Sequence, residues 1–221
     1  MDMKMGMKGV ACAYTAVLAF GALGSLPVKA AATEVLVVAP MAAENKRTAF
    51  RKSMRKLWAE HMIWTRAYIV ATVAGTPDAG DAAGRLLRNQ VEIGAIFVPY
   101  YGPETGAKLG QLLKEDILIA SEVVVATKKG NAAKLQLAEK RWHDNAREIA
   151  VLLSDANPSW SKDAFVATFD NLMTLTFKQT MARVNKKWAD DIQAFDELYV
   201  QGMALADDIA DGIIKQYPEK I

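Results

Sequence analysis

Cysteine is nearly missing from this chain: of 221 residues, only Cys12 carries a thiol. One cysteine excludes an intramolecular disulfide framework and a thiolate metal cluster. Histidine is almost as scarce, at two residues, His61 and His143. Charge of one sign is lacking too: 27 basic against 25 acidic residues leave a formal net charge of +2. Chemistry-bearing motifs are also missing. There is no Ser-His-Asp order, no glycine-rich phosphate loop, no loop of alternating oxygen ligands for calcium and no Glu-x-x-His pair. The Asp207, Asp208 and Asp211 cluster reads as a solvated helix face.

What is present begins with one apolar run, about 17 residues from 10 to 26. Lys4 and Lys8 precede it, Pro27 ends it, and VKAAAT supplies small-x-small pairs at Val28/Ala30 and Ala30/Ala32. This pattern predicts an export signal over 1–32, cleaved to give a periplasmic or secreted protein. An uncleaved N-terminal anchor is the alternative and the only route to a membrane, although the run is short for a span. Without residues 1–32, which hold Lys4, Lys8, Lys29 and Asp2, the basic and acidic residues number 24 each. A neutral chain lacks the basic face that a nucleic-acid partner needs. Cys12 leaves with the signal, so packing alone must stabilise the rest. About 190 residues suffice for one domain with a sizeable core.

After a linker or extended arm at 33–47, apolar spacing is helical throughout, and no strand-rich region competes. Helix one, about 48–74, carries a stripe of Phe50, Met54, Leu57, His61, Trp64 and Tyr68. Gly75 ends it. Helix two, about 79–98, carries Leu86, Ile93 and Phe97, and PYYG (99–102) breaks it. Helix three, about 104–129, carries Leu109, Leu113, Ala120 and Val123. Helix four, about 131–154, carries Leu135, Ala138, Trp142, Asn145, Ile149 and Leu152. After NPSW (157–160), helix five (161–184) starts at a candidate N-cap, Ser161, and carries Phe165, Phe169, Leu172 and Thr176. Helix six, about 188–217, carries Ile192, Phe195, Tyr199, Ala206, Ile209 and Ile213.

Short phrases recur at a fixed offset. VATVAG (70–75) returns as VATKKG (125–130), LWAEHM (57–62) as LLKEDI (112–117), and NQVEIG (89–94) as NAREIA (145–150). A fainter third copy puts Gln201 opposite Asn145, Asn185 opposite Gly130, and Leu172 opposite Asp116. The expectation is an all-α domain over 48–221 with a repeat of about 55–56 residues: three long helical hairpins at 48–98, 104–154 and 161–217. Such hairpins cannot bury their apolar faces alone. They can close into a six-helix bundle with pseudo-threefold symmetry, which the sequence favours, or stack as a short solenoid.

The repeat sets His61, Asp116 and Leu172 at one level and Asn89, Asn145 and Gln201 at another. A buried polar group without a partner costs about 1–3 kcal/mol, so such groups bond to each other, to water or to a ligand. One reading is a register lock, each amide bonding the facing helix as a buried Asn does in coiled coils. The other is a small central site for a metal ion or small polar ligand. Its candidate contacts are His61, Asp116, Asn89, Asn145 and Gln201, with His61 and Asp116 as the candidate ligands of a divalent metal.

EHMIWTR (60–66), RLLRNQVEIG (85–94), PYYG (99–102), LLKEDILIA (112–120), NAREIAVLLSDANPSW (145–160) and DGIIKQYP (211–218) resemble a family of small all-helical bacterial proteins of unassigned function. Some of its members carry a "glycosyltransferase" label, for which this chain has no nucleotide-sugar fold. The resemblance implies a three-histidine metal centre at the level of His61, Asp116 and Leu172, of which this chain keeps only His61. The functional expectation is an exported, non-enzymatic binding protein with a small polar site. The alternatives are a structural or protein-interaction module whose polar core fixes register, and a hydrolase-like enzyme using His61 and Asp116.

Overall fold

The computed structural model describes residues 45–221. They are all-helical, with five helices and no strand among the described residues: α1 (Lys46–Ala74), α2 (Ala79–Lys128), α3 (Ala132–Ala156), α4 (Lys162–Val184) and α5 (Trp188–Gln216). The expected signal over 1–32, and the arm up to residue 44, lie outside the described residues. Residues 45–47, assigned from sequence to that arm, belong to the first helix: Asn45 caps α1 by accepting from the Thr48 N–H at 2.9 Å. The described residues form one compact unit. Among the described residues, no helix is long and apolar enough to cross a membrane.

Six helices were expected, and five are found. The chain stays helical through Pro99, Tyr100 and Tyr101, so helices two and three join as α2. Only Gly102 leaves helical geometry, at φ 84°, ψ 167°. Those angles belong almost to glycine alone. The two halves of α2 meet at glycines. A methyl group on Gly94 would stand 2.4 Å from the Gly106 carbonyl oxygen, and one on Gly110 would stand 3.3 Å from that of Gln90. Helix backbones approach this closely only where side chains are missing.

The other boundaries follow local chemistry. Gly75 ends α1 in the left-handed conformation (φ 76°, ψ 30°), with its N–H on the Ala71 carbonyl. Gly130 (φ 63°) does the same before Asn131, whose side chain caps α3 by accepting from the Lys134 N–H. Ser161 caps α4 through the Ala164 N–H, as its position predicted. At the α4–α5 turn the left-handed residue is Lys186 (φ 58°), and Asn185 stays at φ −84°.

Each helix packs on the next, and α5 packs back on α1. Along α1 the buried residues are Met54, Trp58, Met62, Thr65 and Ile69. The stripe read from sequence sits one residue off this line, so Phe50, Leu57, Trp64 and Tyr68 are only half-buried. The reason is that α1 is covered by several neighbours and buries a wide face, of which the stripe is one edge. The stripe of α4 falls where expected, that of α3 is buried from Ala138 to Ile149 with Leu135 and Leu152 half-buried, and Ile192 on α5 is 53 % exposed.

Its neighbour Asp191 is buried instead, with a side chain 1 % exposed. Arg66 of α1 grips it with both terminal nitrogens, at 2.9 and 3.1 Å. Arg183 donates to it at 3.1 Å and Gln179 at 3.3 Å. A carboxylate sealed in this way is tolerated because two guanidinium groups neutralise it. Elsewhere, Asn157 donates to the Tyr101 hydroxyl at 3.0 Å and to the Gly212 carbonyl at 2.9 Å, and Tyr101 donates to Gln216. Trp160 packs on Phe97, Tyr101 and Phe165. Tyr100 and Tyr101 are thus part of an aromatic cluster.

Candidate functional site

The middle turns of the helices line a partly open cavity of about 50 Å³. Helix α1 contributes Trp58, His61, Met62 and Thr65; the second half of α2 contributes Leu113, Asp116, Ile117 and Ala120. Helix α4 adds Phe169, Leu172, Met173 and Thr176, and the wall is completed by Trp142 and Ile149 of α3 and Leu198 of α5. One water needs about 10–15 Å³ of such space, so the cavity holds a few atoms of that size.

His61 and Asp116 are the two titratable groups in the wall, so the structure brings together two of the five sequence-predicted site residues. Protein surrounds both closely, and the accessible area each retains includes cavity wall. Burial pushes the His61 imidazole down to about 4, while the Gln90 contact works the other way. The ring is therefore neutral at neutral pH. Burial pushes the Asp116 carboxyl up to about 6, against the pull of a 2.6 Å hydrogen bond from the Trp142 indole N–H to Oδ1. The two groups are not hydrogen-bonded to each other, and neither shifts the other, so they do not form an acid–base dyad.

Gln90 fixes the His61 ring. It is fully buried and contacts Nδ1 through both ends of its amide, Nε2 at 3.1 Å and Oε1 at 3.3 Å. Its Nε2 also donates to the Leu86 carbonyl at 2.8 Å and to Asn89 Oδ1 at 3.2 Å. Those two bonds use both amide hydrogens. The arrangement that satisfies every group then has Nδ1–H donating to Oε1. This leaves His61 Nε2 as an acceptor with a free lone pair.

His61 Nε2 and Asp116 Oδ2 have no partner among the described residues, and neither is sealed from a small probe. Trp58 Nε1 and Thr65 Oγ1 are also unpartnered, but they are sealed. Thr176 donates to the Leu172 carbonyl at 2.8 Å. The open polar chemistry of the wall is therefore two acceptors in a mostly apolar, aromatic lining.

The amides lie elsewhere. Asn89 and Asn145 are buried and make matching bonds across to the preceding arm: Asn89 donates to the Leu57 carbonyl at 3.0 Å, and Asn145 to that of Leu112 at 3.2 Å. Gln201 is half-buried and makes no hydrogen bond among the described residues. None of the three lines the cavity. Gln90 was missed from sequence. The signal was its place beside Asn89 in NQVEIG, but comparing repeats discounts it, because Ala146 stands in the matching position. Arg66 and Asp191 were missed because their meeting spans 125 residues. In the acidic cluster of α5, Asp207 pairs with Arg55, and Asp211 with Arg51, instead of remaining only solvated.

The wall does not suit a divalent metal. Among the described residues, no group of three or more His, Cys, Asp or Glu side chains could hold one. His61 and Asp116 alone fall short of the three protein ligands a zinc site uses.

Against known protein families, curated proteins and solved structures, the chain finds no match. The resemblance drawn from the quoted phrases gains no support from these comparisons, and the three-histidine centre it implies has no counterpart here, where Asp116 and Leu172 stand.

Proposed function

We propose that this chain is an exported, non-enzymatic binding protein whose helical bundle encloses one small polar guest between His61 and Asp116. The observation that carries this reading is a pair of open acceptors, His61 Nε2 and Asp116 Oδ2, in the wall of an internal cavity of about 50 Å³. Both acceptors are open to a small donor, which a guest can supply. The wall is built in layers, which supports the reading and fits a pseudo-threefold arrangement of hairpins. Trp58, Leu113 and Phe169 form one set at offsets of 55 and 56 residues. His61, Asp116 and Leu172 form the next, then Met62, Ile117 and Met173, then Thr65, Ala120 and Thr176. In this reading the Gly102 bend separates the first hairpin from the second.

The test is thermal unfolding of the full chain in a panel of molecules with two to four non-hydrogen atoms, beside Leu172→Phe, which fills the cavity from α4. The reading expects some members to raise the melting temperature of the wild type and none to raise that of the variant. If no member acts, or wild type and variant respond equally, the reading fails.

A second reading, a structural module with a register-locking core, draws on the matched bonds of Asn89 and Asn145 to Leu57 and Leu112. It is compatible with the first, because the amides and the cavity use different residues.

A further inference from the structure

We infer that the guest of the cavity is a small ammonium cation, of the size of ammonium or methylammonium. This deepens the binding reading above and rests on it.

Charge pairing gives the first argument. Several half-buried or buried carboxylates of the bundle face cations: Asp191 has Arg66 and Arg183, Glu60 has Arg85 and Lys56, and Asp207 has Arg55, while the half-buried Glu115 accepts only from Gln111 among the described residues. Asp116 has none among the described residues, and its only hydrogen-bond partner is the neutral indole of Trp142. A buried carboxylate without a counter-charge is costly, and a guest can bring the missing charge.

Hydrogen-bond direction gives the second. With both hydrogens of Gln90 Nε2 committed to Leu86 and Asn89, His61 Nδ1–H donates to Gln90 Oε1, and Nε2 presents a lone pair. Asp116 Oδ2 presents another. Two acceptors call for a guest that donates twice or more, which an ammonium group does.

The third is the lining. Trp58, Trp142 and Phe169 put three aromatic rings in the wall. Aromatic faces attract ammonium groups through their quadrupoles. The thioethers and alkyl groups of Met62, Met173, Leu172 and Ile117 suit a methyl substituent. A metal cation fits poorly, because it would find one carboxylate oxygen and one imidazole nitrogen where oxygen-loving cations take six or more ligands. Size selects further. About 50 Å³ takes a guest of two or three non-hydrogen atoms and not a quaternary ammonium.

Calorimetric titration of the full chain at pH 7.5 or so tests this, with methylammonium chloride against potassium chloride and tetramethylammonium chloride at matched ionic strength. The expected result is saturable binding of methylammonium alone, weakened about tenfold or more in Asp116→Asn. That variant keeps an oxygen for the Trp142 N–H and loses the charge. Leu172→Phe, which leaves Asp116 untouched, should abolish binding if Asp116→Asn does not fold. Absence of methylammonium binding, equal binding of potassium, or undiminished binding in Asp116→Asn overturns the inference. Formamide, a neutral donor, separates the two levels. If it binds the wild type and not Leu172→Phe while methylammonium is inert, the cavity is a site and the cation assignment is wrong. If neither binds, both readings fall together.

Discussion

At the scale of single residues, His61 and Asp116 carry opposite linkages between protonation and stability. Folded His61 gives up its proton near pH 4, against 6.5 when free, so the unfolded chain binds more protons between those values. Stability from His61 therefore falls as pH drops from 6.5 towards 4. Folded Asp116 holds its proton to about 6, against 3.8 when free, so its contribution to stability falls as pH rises through that window. Between about 4 and 6 the two slopes nearly cancel. Each substitution should unmask the other group. Asp116→Asn should gain stability relative to wild type as pH rises through this window, and His61→Leu should lose it, by about 3 kcal/mol in each case. Denaturant unfolding at a series of pH values reads both slopes, and slopes of the same sign would contradict the burial assigned to one of them. The amides differ in a comparable way. Asn89→Leu removes the side-chain bond to the Leu57 carbonyl and the acceptor of Gln90 Nε2, and should cost about 1–3 kcal/mol. Gln201→Leu removes no bond and should stay within about 0.5 kcal/mol. The sequence placed all of these residues at special levels through the 55–56 offset alone. It could not distinguish an amide that bonds a carbonyl from one that lines a cavity, because both need the same inward position.

At the scale of elements, helix bounds were legible to within a few residues wherever a cap or a glycine wrote them: Gly75, Gly130 and Ser161. PYYG was read as a break, yet helical geometry persists to Tyr101 and the departure is confined to Gly102. Proline at residue 99 removes one donor and still fits helical φ, so the tetrapeptide stays helical up to the bend at Gly102. Gly102→Ala should therefore be strongly destabilising, by about 1–3 kcal/mol, since it puts a Cβ on a backbone conformation kept for glycine. Gly94→Ala tests the close approach of the arms. Its methyl group would press on the Gly106 backbone at 2.4 Å, which cannot rotate away, and a cost of about 1–3 kcal/mol or more is expected. Gly202→Ala meets only the flexible end of Met62 and should be milder. Thermal unfolding of the three variants orders them, and a Gly202→Ala loss larger than that of Gly94→Ala would contradict the packing described. The phase error on α1 has a related origin. Periodicity finds the edge of a wide buried face as readily as its centre, and Trp58 and Met62 mark the centre only once the neighbours of α1 are known.

At the scale of the whole molecule, α5 returns to α1, and the Arg66–Asp191–Arg183 cluster ties α1 to the α4–α5 turn across 125 residues. Nothing in local sequence announces such a contact, because neither partner breaks the pattern of its own helix. Arg66→Ala should cost about 3–5 kcal/mol, since it strips a buried carboxylate of its bidentate partner; Asp191→Asn in the same background should recover part of the loss. The all-helical class was legible because packing must provide all the stability of a chain without disulfides, and helical spacing runs the length of the domain. The cavity was legible only as a level at which polar residues gather, since a void depends on side chains from all five helices. The central claim is that His61 and Asp116 share one interior cavity. An NMR titration of both side chains in the full chain tests it most directly. Midpoints near 4 for the imidazole and near 6 for the carboxyl are predicted, whereas midpoints at their free values of 6.5 and 3.8 would put both groups in open water and contradict it.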